Sequence, residues 1–524
     1  MEENEKQTEE QVTEPESTPT PSESEASAEG VKPVKKISKF DAFFGITKSG
    51  STIKTEIIAG LTTFMAMVYA LLVVPSMYGD SVPFGAVYIA TALGAIVGTT
   101  LMALLARMPL AQASGLGSTA YITGTLLAAS TGLTYANAMV FVLLDGVIFI
   151  LLTATGLRKK ILKAIPDEVK IAISVGIGLF IAFIGFQGAG LSVLSYDAEQ
   201  NTTSIGFASL NILKALGIVK DPSNSVSYFS IISVFITLLS VIAIAVLSHK
   251  KVKGAILWGI LGSTALFYIM TGLGCAWKDT NCLKLFNSIS IEDPFKAFAQ
   301  WGNESVGQVF ANGFNFSGYL AIEGNNGGTL TVLILTSALS LCMIDMFDTL
   351  GTLYGACSKG GLIDEEGNPL RMNRCMLSDA VATCVGSVCG ATTVTTYVEA
   401  SSGIAAGGRT GFAALVTALC FLVATFLSPL AQIIPGVATN AALIWVGVLM
   451  MSSVKNINWE NPLTALPAFL TITVMAFGYS ISFGIGIGII SCVIIKICTG
   501  KIKQISIVTW VIAVLFIALF LLTN

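Results

Sequence analysis

Charge is what this sequence has least of. Only 12% of its 524 residues are Asp, Glu, Lys or Arg, about half the share of a soluble domain. Histidine occurs once, as His249 in the basic run Ser-His-Lys-Lys, where a solvated or headgroup position fits better than a proton relay. Catalytic signatures are missing as well. There is no P-loop, no HExxH and no GxSxG, and the loops between apolar runs are too short for a nucleotide-binding domain. An arginine ladder is absent, which excludes a voltage sensor. The ten cysteines are scattered without CxxC spacing, so no metal site is expected. Most read as small buried hydrophobes. Cys275 and Cys282 share one outer loop, and whether they pair is left open by spacing alone.

What is present is apolar surface. Hydrophobic residues make up 53% of the chain, with 51 glycines and a mean hydropathy of +0.77, and many runs are long enough to cross a bilayer. This is an all-α polytopic membrane protein. Residues 1–30 hold ten Glu, one Lys and no aromatic residue, too little apolar surface to offset the entropy of ordering. They predict a disordered tail without the basic start of a cleaved signal peptide, so that the first span acts as an uncleaved signal-anchor.

Apolar segments fall near 56–74, 85–106, 114–130, 136–156, 168–187, 228–248 and 254–274, and again near 329–355, 376–390, 394–406, 411–430, 438–453, 463–478 and 480–498. These are about fourteen spans, seven and seven. A last run, 505–523, is long enough to span and has no place in that symmetry. Lys and Arg set the orientation. With the N-terminus inside, 23 of the 28 basic residues after residue 30 are cytoplasmic. The three glycosylation sequons, at Asn201, Asn303 and Asn315, all fall in the two long outer loops. Weak self-similarity joins the halves: Thr119-Ala-Tyr121-Ile-Thr123 matches Thr395-Thr-Tyr397-Val-Glu399, and Leu162–Pro166 matches Leu430–Pro435. An odd number of spans per repeat inverts the second copy.

Against this background three carboxylates stand out. Each costs roughly 2.5–3.5 kcal/mol or more at bilayer depth, and the default explanation is a substrate or proton pathway. Asp345 and Asp348 are three residues apart and share a helical face, which Thr349 and Thr352 extend. Asp348 reads either as a ligand or proton group or as a tie to a broken span. Glu399 lies in ATTVTTYVEASSG, residues 391–403. That segment and 111–123 (AQASGLGSTAYIT) read as short strands, in spans 3 and 10, that meet at the midplane. Each would feed a half-helix and aim backbone N–H groups at a ligand. Close packing of small residues is the bland alternative. Tyr397 shares a face with Glu399 if the segment is extended and offers a stacking surface to a planar ligand. Tyr121 is its counterpart, and either could equally be an interfacial aromatic. Asp145 and Asp379 read as structural, the latter as a tie between spans.

Five blocks carry a resemblance: Thr55-Glu-Ile-Ile-Ala-Gly-Leu-Thr-Thr-Phe64, Met346-Phe-Asp-Thr-Leu-Gly-Thr352, Asn373-Arg-Cys-Met-Leu-Ser-Asp-Ala380, TTVTTYVEASSGIAAGGRTG at 392–411, and Val446-Gly-Val-Leu-Met-Met451. From about residue 43 onward the chain resembles the AzgA-like hypoxanthine/guanine/adenine permease branch of the nucleobase–ascorbate transporter superfamily. The resemblance implies fourteen spans as a 7+7 inverted repeat, with a core domain (spans 1–4 and 8–11) that slides against a gate domain (5–7 and 12–14). It implies base contacts at Asp345 and Glu399, a second acidic group at Asp348 and an aromatic wall at Tyr397. The third span departs from the family pattern A-P-G-M-G-x-N-A. Here Ala113-Ser-Gly-Leu-Gly-Ser-Thr-Ala120 puts Ser114 in place of Pro and Thr119 in place of Asn. A hydroxyl cannot present the paired donor and acceptor of an amide.

The expectations are therefore specific. Residues 1–40 form the acidic tail, 41–160 and 329–432 the core, 161–275 and 433–524 the gate, and 276–328 an extracytoplasmic loop. Function is proton-coupled uptake of purine nucleobases by alternating access across the plasma membrane. Substrate contacts are Asp345, Glu399, Tyr397, Thr119 and Tyr121, with Asp348 and Thr349 in proton coupling or support. No cofactor and no nucleic acid are expected, and a homodimer through the gate is open. An anion transporter on the same architecture is the first alternative, although such a site would want a positive centre, whereas this one has Asp345 and Glu399 and no nearby Lys or Arg. A non-transporting nutrient sensor is the second.

Overall fold

A computed structural model describes residues 39–155, 167–197, 202–207, 228–276, 293–365 and 368–522. The acidic tail, the sequon at Asn201, the basic run at 158–160 and Cys282 lie outside the described residues. A short helix α1 (Lys39–Phe44) leads to α2 (Ile53–Met67), capped by Thr52, which accepts from the Thr55 N–H. After a break at Val68 and Tyr69 come α3 (Ala70–Met77) and α4 (Phe84–Leu101). Strand β1 (Gln112–Ser114) feeds α5 (Leu116–Tyr121), and α6 (Tyr135–Ala154) and α7 (Asp167–Gly188) follow. The hairpin β2 (Ser192–Asp197) and β3 (Thr202–Phe207) precedes α8 (Tyr228–His249) and α9 (Ala255–Ala276).

The second half opens with α10 (Pro294–Glu304), α11 (Gln308–Ala311) and α12 (Ser317–Leu320). Then come α13 (Gly327–Gly360), α14 (Met372–Cys389), strand β4 (Val394–Thr396) and α15 (Ala400–Ala405). The chain ends in α16 (Gly411–Thr425), α17 (Ser428–Gln432), α18 (Gly436–Met451), α19 (Pro462–Phe477), α20 (Ile481–Cys498) and α21 (Ile507–Leu522). Among the described residues nine helical stretches are long and apolar enough to cross a membrane, and three shorter apolar helices accompany them. Every segment expected from sequence is occupied. The extra run at 505–523 is α21, which buries Ile512, Ala513 and Phe516 against its neighbours and leaves Val511, Val514 and Ile517 exposed.

Packing sorts the helices into two groups. In one, α2 and α4 pack on α16, and α14 packs on α4 and α6. In the other, α7 packs on α18 and α19, α8 on α9 and α18, and α19 on α20. Small residues make the close approaches possible. A Cβ on Gly447 would sit 2.5 Å from the Gly178 carbonyl oxygen, so α18 and α7 touch backbone to backbone.

Span 8 is one continuous helix, α13, of 34 residues. Two features depart from the expectation. The outer loop at 190–227 contains the β2–β3 hairpin. The second long loop folds into α10–α12 and caps the ends of the first group, with Trp301 Nε1 donating to the Cys389 carbonyl (2.8 Å) and Asn137 Nδ2 to that of Gly313 (2.7 Å). The start of α10 was legible, since Asp293 caps it and Pro294 takes the first position, where a missing N–H costs nothing.

Candidate functional site

The site is built on two strands that cross at the middle of the bundle. β1 and β4 pair antiparallel, Gln112 with Thr396 and Ser114 with Val394. Extended backbone at this depth must be satisfied by protein, and two threonines supply the outer edges. Thr99 on α4 donates to the Gln112 carbonyl (2.9 Å) and accepts from the Gln112 N–H (3.0 Å). Thr383 on α14 treats Val394 the same way, at 3.4 and 3.0 Å. Gly98 leaves the room this needs, because a Cβ there would meet Val394 at 2.6 Å. Sequence reading found the strands and missed both threonines.

β4 delivers the chemistry. Tyr397 follows the strand directly, and its hydroxyl donates to the Ser114 carbonyl at 2.6 Å, locking its ring across the sheet. Glu399 stands at the N-cap of α15 and accepts a 2.7 Å hydrogen bond from the Tyr69 hydroxyl. Tyr69 sits at the break between α2 and α3, with its ring centroid 6.5 Å from that of Tyr397. Asp348 on α13 accepts from Thr395 Oγ1 at 3.4 Å. Tyr69, Asp348, Thr352, Tyr397 and Glu399 line one cavity of about 430 Å³. Glu399 also borders a second, about 610 Å³.

That second cavity corrects one expectation. Lys251 and Lys253, from the turn between α8 and α9, line it together with Glu399, and Lys253 Nζ donates to Thr62 Oγ1 at 3.3 Å. Basic groups therefore do stand near the acidic site. Their separation of some 150 positions from Glu399 in the chain hid them.

The remaining residues singled out in the sequence lie behind the cavity wall. Asp345 is fully buried, one turn before Asp348, and lines neither cavity. Thr119 is buried, with Oγ1 donating to its own Gly115 carbonyl (2.7 Å) and lying 3.0 Å from Thr392 Oγ1. Tyr121 is buried beside Ser337, Ser340 and Ser482. It closes the half-helix α5, whereas Tyr397 directly follows its strand, so the two tyrosines are not equivalent by structure. Thr349 donates to Asp379, which also accepts from Gln112 Nε2 at 2.7 Å. Asp379 is thus the inter-span tie read from sequence, joining α14 to Thr349 of α13 and Gln112 of β1. Glu56, within the block Thr55–Phe64, accepts the backbone N–H groups of Arg409 (2.9 Å), Thr410 (3.3 Å) and Ala413 (3.2 Å), fastening α2 to the start of α16.

A helical bundle with two crossed strands at its centre, carboxylates at the crossing and cavities leading to them is the architecture of a membrane transporter. The chain matches the Permease family (Xan_ur_permease) over residues 54–220 and 202–487, and it belongs to that family. It is 38% identical over 485 residues to the guanine/hypoxanthine permease PbuO of Bacillus subtilis (strain 168), covering 91% of this chain and 100% of that one. To the adenine permease AdeP of Escherichia coli (strain K12) it is 33% identical over 475 residues, covering 90% and 94%. Among solved structures, the transmembrane domain of the cyanobacterium bicarbonate transporter BicA shares the fold with TM-score 0.54 at 18% identity, covering 82% of this chain and 97% of that one. Murine Slc26a9 in the inward-facing state gives 0.55 at 12%, covering 90% and 74%. The protein is a transmembrane permease of the family its motifs resemble.

Proposed function

We propose that this permease takes up a purine nucleobase together with a proton, by alternating access, across a plasma membrane with its N-terminus in the cytoplasm. The observation that carries this reading is the cavity where Asp348 and Glu399 meet Tyr69 and Tyr397, in a chain related along its length to permeases named for guanine, hypoxanthine and adenine. A carboxylate accepts ring N–H groups with charge-assisted strength. Two tyrosine rings offer faces to a planar heterocycle, and about 430 Å³ suits a small-molecule site. Tyr69 donates to one Glu399 oxygen, and the carboxylate keeps lone pairs for the base. A protonatable group here links uptake to the membrane potential, roughly 2.3 kcal/mol per charge per 100 mV. Asp345, Thr119, Tyr121 and Thr349 act from behind as positioning residues.

The two packing groups support a core of 41–160 with 329–432 and a gate of 161–275 with 433–524. Both cavities extend along the cytoplasmic halves of the helices, past Gly355, Ser452 and Lys253. Toward the outside the groups are in contact, with Gly124 of the core faced by the Tyr479 and Phe180 rings of the gate and Ser482 Oγ donating to Ser340 Oγ (2.8 Å). This favours an inward-facing conformation, and those outer contacts must part when the core slides. The test is uptake of radiolabelled hypoxanthine, guanine and adenine by a host without base transporters of its own, with unlabelled competitors and with a protonophore. Saturable, protonophore-sensitive uptake is expected. No uptake of any base by protein at the cell surface overturns the reading, and protonophore-insensitive uptake removes the proton.

A further inference from the structure

Far from Glu399 in sequence, a third cavity of about 250 Å³ opens where three helices of the second packing group converge. Its walls are Val169 from the first turn of α7, the start of α19 at Asn461 and Thr464, the last turn of α20 at Lys496 and Thr499, and the following turn at Lys501 and Gln504. Among the described residues no acidic side chain lines it. The hydroxyls are already spent on backbone: Thr464 Oγ1 donates to the Asn458 carbonyl (2.8 Å) and Thr499 Oγ1 to that of Ile495 (2.8 Å). Asn461 Oδ1 caps α19 by accepting from the Leu463 N–H (3.1 Å), which leaves its Nδ2. Among the described residues, no hydrogen bond or ion pair engages the side-chain nitrogens of Lys496, Lys501 or Gln504. Among the described residues the rim therefore offers two ammonium groups beside amide N–H donors, a set that suits an anion with several acceptor oxygens.

Its surroundings tell which anion. On the same helices Leu466, Ile494 and Ile497 are exposed, an apolar border that in a bilayer meets acyl chains. Trp459 is also exposed nearby, as interfacial aromatics are. Lys455, Lys496, Lys501 and Lys503 mark this end of the bundle as the inner one in the orientation proposed above. We propose that the cavity binds the phosphate of an anionic lipid of the inner leaflet, with Lys496 and Lys501 as counter-charges and Gln504 and Asn461 as neutral donors. A headgroup seated there bridges α7, α19 and α20 and so stabilises the gate by mass action.

The test uses the full chain, purified and reconstituted in phosphatidylcholine with or without phosphatidylglycerol, and reads lipid adducts by native mass spectrometry and Tm. No base is needed, so the outcome is independent of what the permease carries. Phosphatidylglycerol adducts and a raised Tm are expected. Lys496→Gln and Lys501→Gln should each weaken binding about fivefold, and together about thirtyfold, at low salt, with affinity falling as ionic strength rises. An unchanged Tm in phosphatidylcholine alone shows that the variants fold. Should the double variant lose stability there, Gln504→Glu, which sets a like charge in the rim, must lower lipid binding instead. Wild-type lipid affinity in the folded variant overturns the site. Inorganic phosphate raising Tm as much as the lipid does overturns the lipid as its occupant.

Discussion

The strand and half-helix of span 3 and those of span 10 are built alike and equipped differently. Each strand is held by a threonine on the helix before it, Thr99 for β1 and Thr383 for β4, through the same reciprocal pair of hydrogen bonds. Beyond the strands the likeness ends. After β4 the chain sends Tyr397 and Glu399 to the cavity. After β1 it turns its polar groups inward, with Ser118 and Thr119 both donating to the Gly115 carbonyl. One segment brings a tyrosine and a carboxylate to the cavity, and the other lines it only with Leu116 and Gly117. Repetition preserved what the backbone needs at membrane depth, since neither strand can leave its edge unsatisfied. It placed no such demand on the side chains facing the ligand.

The sharpest way to break this comparison is at Glu399. Glu399→Gln keeps the shape and removes titration, so uptake should fall to background while surface expression stays normal. Wild-type uptake by the correctly localised variant would take Glu399 out of the mechanism. Next in size are the two aspartates of α13. If Asp348 contacts the base, Asp348→Asn should raise the half-saturation constant more than tenfold, for a charge-assisted bond of roughly 1.5–3 kcal/mol. Asp345→Asn reports whether the buried residue is also drawn in during the cycle; an equal loss means α13 shifts or turns, and none leaves Asp345 as packing.

Smaller still, and equal on the two sides, should be the strand anchors. Thr99→Val and Thr383→Val each strand a buried backbone N–H and carbonyl, costing about 1–3 kcal/mol, read as a lowered Tm of the purified protein. A large loss for one and none for the other would refute the structural equivalence of the repeats. The smallest effect is expected at the departure from the family pattern. Thr119→Asn with Ser114→Pro should shift competition among bases toward hypoxanthine and guanine by a few-fold. The ladder bonds run through the Ala111 carbonyl and the Gly115 N–H, so Ser114 turns its own backbone away from β4 and tolerates a proline. An identical ranking by variant and parent makes Thr119 a packing residue.

Much of this was legible along the chain because the bilayer imposes local rules. Long apolar runs gave the spans, and short polar interruptions gave β1 and β4. Other features were hidden because their partners are remote in sequence. Tyr69 was unremarkable until the break after α2 brought it to Glu399, and Lys253 until the turn between α8 and α9 met Thr62. The two-residue choice between Asp345 and Asp348 was ambiguous for a further reason. Residues three apart on a helix share a face, and only the neighbours packed on that face decide which one opens to a cavity.

Sequence by itself therefore determined the membrane class, the two strand segments and the acidic residues that are candidates for a site, since each depends on composition or on short-range periodicity. Tertiary structure alone decided which carboxylates meet, which tyrosine holds Glu399, and which threonines satisfy the crossing strands. Those outcomes depend on helices hundreds of residues apart that pack side by side, because a dry interior leaves buried polar groups no partner except one another.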